Sequence, residues 1–450
     1  MKTTPVRHLL ARFTSLWTGR NLFSRVAFIA VPVALFAAAP PQTFAAPKER
    51  VLVTFHGSNG ARPQRSGLVF DSSGNLYGVT ARGGPDNPNC ELNCGVVYEL
   101  SPTNDGARET ILYNFCSVGN CLDGAIPQGS LTLDSQGNLY GTTLYGGSGN
   151  QICPGGNGGM GCGTVYKLSP TPDGWQETVI YSFCSMGDNC SDGGSPVDAV
   201  SFDAAGNLYG AANYTPNNPA AGLVFELMPG LNNSWTYSVL HIFDGPPDGK
   251  FPYGGIAIDA TGNLYGTTAA GGTDKNCNGG CGILYQLQPV LGGWEENVLH
   301  NFTDGNDGAS PQSGLAIDAT GTLYGVTLGG RHHGGTVFSL APNPTGGWKE
   351  SIVHSFSTCR SCAEGSVPYG VPALDSAGNV YGVTQGGGLH DLGVVFKLSP
   401  KGDGRWMEQT VSLTAGQTHT GVTLDQSGKL YGNTTVGGWK GDGIVFQVVP

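Results

Sequence analysis

The sequence predicts an all-β chain folded as a seven-bladed β-propeller with four antiparallel strands per blade, and three observations predict it. A block beginning Asp71-Ser-Ser-Gly-Asn-Leu-Tyr-Gly recurs seven times. Each copy carries four short runs in which apolar residues alternate with small or polar ones, apart from the last, which carries three. The missing run stands near the N-terminus, at Arg50-Val-Leu-Val-Thr-Phe55.

The repeat is read first because it decides the architecture. Copies start at Asp71, Asp134, Asp203, Asp259, Asp318, Asp375 and Asp425, with separations of 63, 69, 56, 59, 57 and 50 residues. In the fourth copy the runs are Gly255–Asp259, Asn263–Thr268, Gly282–Leu287 and Glu296–Phe302. A period of two between Asp-x-x-Gly-Asn turns is a strand and hairpin signature, and four such strands per unit read as propeller blades. First strands begin near 63, 127, 196, 252, 311, 368 and 418. The seventh copy has runs at Gly421–Asp425, Lys429–Thr434 and Gly443–Val448, so Arg50–Phe55 is expected to supply its fourth strand and close the ring. Closure removes the exposed sheet edges that an open solenoid, the alternative, would leave.

Composition agrees. Of 450 residues 74 are Gly and 28 Pro, and only 12% are charged where ~25% is usual. Heptads, Gly-X-Y periodicity and long charge runs are missing, which excludes coiled coil, collagen and bulk disorder. Residues 1–46 differ from the rest: Lys2, Arg7, Arg12, Arg20 and Arg25 precede an apolar run from Val26 to Ala39, then small residues around Thr43-Phe44-Ala45. This is the layout of a secretory signal peptide; an uncleaved anchor is the alternative, disfavoured by Pro32 within the run. Its removal leaves 17 Lys+Arg against 33 Asp+Glu, a formal charge of −16, over a single domain at 47–450. Nucleic acid and anionic lipid need basic partners and are excluded. A monomer, secreted or periplasmic, is expected, with no membrane contact once the leader is removed.

All twelve cysteines form close pairs: Cys90/Cys94, Cys116/Cys121, Cys153/Cys162, Cys184/Cys190, Cys277/Cys281 and Cys359/Cys362. The last two pairs have no cysteine in a neighbouring loop, so local disulfides are expected throughout, in an oxidising compartment. Zinc is the rival reading of Cys359-Arg-Ser-Cys362 and would require two pairs to converge. Three pairs lie between second and third strands and three between a fourth strand and the next first strand. In an antiparallel blade those connections emerge at one end, so every bridge braces the same face of the disc, where binding usually resides. Simple stapling of long loops accounts for the bridges equally well.

Candidate chemistry is sparse. His332, His333 and His390 fall in loops of adjacent blades on that face, with His419 near the next, and could bind metal or act as a base. His241, His300 and His354 occupy the fourth-strand slot that Tyr113 and Tyr181 fill elsewhere and read as blade packing. An Asp-Gly-x-x-Pro motif at Asp123, Asp192, Asp248 and Asp307 is turn chemistry. Its functional reading is a structural calcium at Asp304 and Asp307, although an EF-hand fails because Leu315 stands where its closing Glu belongs. Trp439 alone among the tryptophans of the repeats lies in a loop of the braced face, where it could stack on a sugar. No Gly-x-Ser-x-Gly, His-Glu-x-x-His or phosphate-loop motif is present.

Units of the form Val-Leu-x-x-Phe, Asp-Gly-x-x-Pro, Gly-Leu-x-x-Asp-x-x-Gly-Asn-Leu-Tyr-Gly-Thr-Thr, Gly-Gly and Gly-Thr-Val-Phe-x-Leu resemble the bacterial GloVer (Gloeo-Verruco) extracellular tandem repeats over residues 50–450. The resemblance implies export and repeat architecture and brings no catalytic residues with it. The first two strands of each unit are also similar to NHL-like and kelch-like propeller repeats. Blade 3 departs most, at Asn213–Gly222. The expected function is an exported binding propeller for a polysaccharide or protein on the disulfide-braced face, with no cofactor beyond that calcium. A secreted lyase or hydrolase using His332, His333 or His390, and a structural cell-envelope component, are the alternatives.

Overall fold

The computed structural model describes residues 48–450 except 89, 91–92, 150–160, 187–189, 216–220, 331–333, 358–362, 389 and 414–415. The signal peptide expected over 1–46 lies outside the described residues. Residues 47–450 form one compact unit of seven antiparallel blades, with strands in chain order in every blade but the seventh. Blade 4 is typical, with strands Ala257–Ile258, Leu264–Thr268, Ile283–Val290 and Gly293–Asn301. Blade 7 takes Val422–Leu424, Leu430–Thr434 and Ile444–Val449 from the C-terminus and Lys48–Thr54 from the N-terminus. Val51 pairs with Phe446 and Thr54 with Ile444, so the ring closes as the repeat count requires. The first strand is interrupted in more than one blade, as Gly194–Pro196 and Ser201–Phe202 in blade 3 and Gly249–Lys250 and Ala257–Ile258 in blade 4, and much of the Asn213–Gly222 stretch where the sequence of blade 3 departs lies outside the described residues.

Each Asp-x-x-Gly-Asn turn is organised by its aspartate. Asp71 Oδ1 accepts the backbone N–H groups of Ser73 and Asn75 at 2.8 and 2.9 Å, and Oδ2 accepts the Asn75 amide and Tyr77 hydroxyl at 2.8 and 3.1 Å. One side chain thereby fixes the turn and anchors the second strand, which is why the Asp and Tyr recur six residues apart. Partial burial raises the Asp71 carboxyl, but the four hydrogen bonds outweigh it and hold the group below the usual carboxylate range.

Blades are joined by aromatic side chains and by backbone. The Phe ending a fourth strand meets the third-strand aromatic of the next blade: Phe55 with Tyr98, Phe115 with Tyr166 and Phe302 with Phe338, at centroid distances of 4.9–5.3 Å. The Tyr of a second strand meets the Trp opening the next blade's fourth strand, as in Tyr77–Trp175 and Tyr265–Trp348. These aromatics are mostly buried and form the core between blades. The residue before each motif proline donates its N–H to the preceding blade, as Ile126 to Cys94 at 2.9 Å and Ser310 to Cys281 at 2.9 Å. Both residues adopt left-handed backbone, with φ of 59° and 55°. That conformation is unfavourable for a β-branched residue such as Ile126, the more so before a proline, which favours extended backbone in the residue ahead of it, and it aims the Ile126 N–H at the preceding blade.

A polar seam runs outside this core. The Tyr113 hydroxyl donates to Asp123 at 2.8 Å, and Glu177 of the following blade lies beside them with Oε1 buried and lacking a hydrogen-bond partner. Burial, reinforced by the negative Asp123, pushes Glu177 up to about 8. A carboxyl raised on folding stabilises the native state fully below its unfolded value near 4.5 and loses that contribution as pH rises towards 8. Urea midpoints of the parent are therefore expected to fall between pH 5 and pH 8.5. Glu177→Gln, which stays neutral, should flatten that decline; an unchanged decline would remove Glu177 as its source.

Candidate functional site

The propeller axis ends in a cavity of about 190 Å³ whose wall comes from the residues directly after the motif prolines. Pro63 is followed by Gln64 and Arg65, Pro196 by Val197 and Asp198, Pro311 by Gln312, and Pro368 by Tyr369; His419 takes the corresponding place in blade 7. First strands begin at the end of the disc from which the long loops emerge, so this mouth opens on the disulfide-bearing face.

Arg65 is its most unusual member. Its guanidinium carbon lies 4.7 Å from the ring centroid of Tyr253 and 5.8 Å from that of Tyr369. Tyr253 is itself stacked on Phe251, with centroids 5.7 Å apart. Among the described residues the guanidinium makes long contacts, at 3.5 Å to the Tyr253 carbonyl and the Gln312 side-chain oxygen. No carboxylate of the described residues pairs with it. The backbone of Arg65 is left-handed, φ 53°, at a position filled by Gly129 in blade 2 and Gly370 in blade 6. The arginine occupies a glycine conformation, and residues in such strained backbone concentrate at functional sites.

The surroundings favour an unneutralised cation. Asp198 is raised by burial, against the N–H groups of Ala199 and Gly255 that its carboxylate accepts at 2.8 Å and against the pull of Arg65. Burial and the Arg65 charge together lower His419. Both ring nitrogens of His419 are engaged, one with Gln385 and one with the Thr435 hydroxyl at 3.1 Å, and its ring meets Tyr369 edge-on at 5.6 Å. The Arg65 N–H donates to the His419 carbonyl at 3.0 Å, which ties blade 1 to blade 7 at the mouth.

The residues singled out from sequence are placed as follows. Disulfides join Cys90–Cys94, Cys116–Cys121, Cys184–Cys190 and Cys277–Cys281, and Cys162 is disulfide-bonded. Cys153, Cys359 and Cys362 lie outside the described residues. The first two bridges converge, with all four buried sulfurs within 4.8 Å of one another. The Gly147 N–H donates to the Cys121 carbonyl at 2.9 Å, so the two classes of long loop touch on one face. Trp439 is 72% exposed, with the Lys440 ammonium 4.5 Å above its ring. His390 is exposed, and His332 and His333 lie outside the described residues. Asp307 accepts the N–H and hydroxyl of Thr303 at 2.9 and 2.7 Å, and Asp304 has left-handed backbone. A larger open groove, about 760 Å³, lies between blades 2 and 3 beside the Asp134 and Asp203 turns, at the opposite face.

Arg65, Asp198, Tyr253, Gln312 and Tyr369 were not reached from sequence. The available signal was a departure within the repeat. The second position after the motif proline is Gly129, Gly254, Ser313 and Gly370 in four copies but Arg65 and Asp198 in the other two, and these large polar residues point to the axis only once the blades close.

The Gloeobacter/Verrucomicrobia repeat matches the chain over residues 152–361 and 275–450. No curated protein matches. Among solved structures, a protein from Lactobacillus plantarum is similar at 12% identity, with a TM-score of 0.48, covering 80% of this chain and 87% of that one. Because the two matches span well over half of the sequence, the chain belongs to the Gloeobacter/Verrucomicrobia repeat family.

Proposed function

We propose that this propeller is an exported binding protein whose channel mouth, on the disulfide-braced face, receives an acidic sugar unit of a polysaccharide. The observation that carries the reading is Arg65, a cation against the rings of Tyr253 and Tyr369 with no carboxylate of the described residues in an ion pair with it. In a chain of net negative charge, an arginine in left-handed backbone at the axis, its guanidinium held by long hydrogen bonds among the described residues, supplies the planar donor fork that suits a carboxylate. The cavity volume of about 190 Å³ suits one ring rather than a long chain segment. Asp198, Gln312 and Ser130 offer hydroxyl partners beside it. The basic and apolar leader and the local disulfides support export, and exposed Trp439 offers a stacking surface further along the same face.

The engagement of both His419 nitrogens favours binding over proton transfer. Calorimetry with glucuronate- and galacturonate-terminated oligosaccharides, against their neutral counterparts, tests the reading. Acidic ligands should bind and neutral ones should not. Arg65→Gln should weaken binding roughly 10- to 100-fold, the equivalent of a charged hydrogen bond worth about 1.5–3 kcal/mol. Equal affinity for neutral ligands, or undiminished binding by Arg65→Gln, would refute it. Release of an unsaturated uronate in the same mixtures would convert the binding site into that of a lyase.

A further inference from the structure

The polar seam between blades changes character where histidine replaces tyrosine. At the interfaces following blades 1 and 2, the Tyr113 and Tyr181 hydroxyls close the network by donating to Asp123 and Asp192 at 2.8 and 2.7 Å. At the next two interfaces the hydroxyl is gone. His241 Nε2 stands 3.4 Å from Asp248 Oδ2 and 3.8 Å from Glu296 Oε1. His300 Nε2 stands 3.2 Å from Asp307 Oδ2 and 3.7 Å from Glu350 Oε1. In each cluster all three donor atoms lie within 4.8 Å of one another. His241 Nε2, Glu296 Oε1 and Glu350 Oε1 are buried without a hydrogen-bond partner. Each cluster draws on a fourth strand, the following motif aspartate and the next blade's fourth strand, so it forms only when blades assemble.

We propose that His241, Asp248 and Glu296, and likewise His300, Asp307 and Glu350, each bind a divalent transition-metal ion, with Zn²⁺ the best match, that pins blade 3 to blade 4 and blade 4 to blade 5. Bonds of about 2.1 Å in a tetrahedral site set its ligand atoms roughly 3.4 Å apart, and the four histidine–carboxylate separations bracket that value. One imidazole nitrogen with two carboxylates suits zinc better than calcium, which takes six to eight oxygens. The histidine side chains keep about one-fifth of their surface exposed, 21% and 20%, which leaves a path for a water as fourth ligand. The carboxylates are held from behind: Asp307 by Thr303, and Asp248 by the Asp244 N–H at 2.8 Å. Such outer contacts orient metal ligands. The interface after blade 5 is an internal control. His354 Nε2 lies 3.8 Å from Glu364, but no third donor of the described residues completes a cluster there. The sites are independent of the channel mouth and of any sugar.

The test is Zn²⁺ titration of chelator-treated, dialysed full chain by calorimetry, with metal content measured after gel filtration and Co²⁺ absorption as the coordination readout. Two equivalents are expected, with the intense visible bands of four-coordinate Co²⁺ and a raised thermal midpoint. His241→Tyr and His300→Tyr recreate the pairing of the first two interfaces, so they should fold, and each should lose one equivalent; the double variant should lose both, and His354→Tyr neither. Absence of uptake by the parent, two equivalents retained by the double variant, or a lower count in His354→Tyr would each overturn the proposal.

Discussion

Deleting Lys48–Phe55 is expected to abolish cooperative folding of the ring. These residues supply the fourth strand of blade 7, and without them Ile444–Val449 becomes an open sheet edge, a template for aggregation. The strand also carries the blade 7 to blade 1 joint: Phe55 is fully buried, its N–H donates to Gly443 at 3.0 Å, and its ring meets Tyr98 at 5.3 Å. The single change Phe55→Ala should cost about 3–5 kcal/mol, the range for truncating a buried phenylalanine. Denaturant unfolding measures the point variant; gel filtration and thermal scans measure the deletion, which should give soluble aggregate and no sharp transition. A monomeric deletion variant with the parental midpoint would contradict closure by this strand.

Gly282→Ala should be comparably damaging, for a different reason. Gly282 opens the third strand of blade 4 with φ 99°, a conformation that costs other residues, and a methyl group there would lie 2.4 Å from the Thr268 carbonyl and 2.7 Å from Pro311 Cδ of the next blade. The same glycine accepts the Phe302 N–H at 3.0 Å. Backbone strain of about 1–3 kcal/mol adds to overpacking of about 1–3 kcal/mol, and neither the carbonyl nor the proline can swing away. A loss of roughly 3–5 kcal/mol is expected by urea denaturation. Gly262→Ala is the contrast. Its φ of 86° carries similar strain, but nothing stands within 4 Å, so it should lose only the strain component. Equal losses in the two variants would remove the steric argument.

The architecture was legible because it is written seven times over. A period of two, an aspartate with a tyrosine six residues on, and a missing run recovered behind the leader are local facts, and each maps onto a local bond such as Asp71 with Tyr77. Local pairing of Cys90 with Cys94 was legible for the same reason, since they stand four positions apart. The channel mouth was not. Arg65 meets Tyr253 and Tyr369 across some 190 and 300 residues of chain, and no spacing in a single sequence encodes an axis shared by seven blades. The histidines illustrate the middle ground. His241 and His300 were correctly placed in the Tyr113 slot, but the glutamate each faces lies one blade further on, beyond what the repeat unit taken singly displays.

Closure by the first strand also sets an order of events. A ribosome makes Lys48–Thr54 about 390 positions before Ile444, so the earliest β-segment of the ring waits for the last. Blades 1 to 6 can each be completed from contiguous chain as it emerges, whereas the seventh is a contact of extreme sequence separation and slow for that reason. A late, single-step locking phase follows from this topology, and until it occurs the nascent protein is an arc with two sticky ends, the interval in which a chaperone would have most to hold.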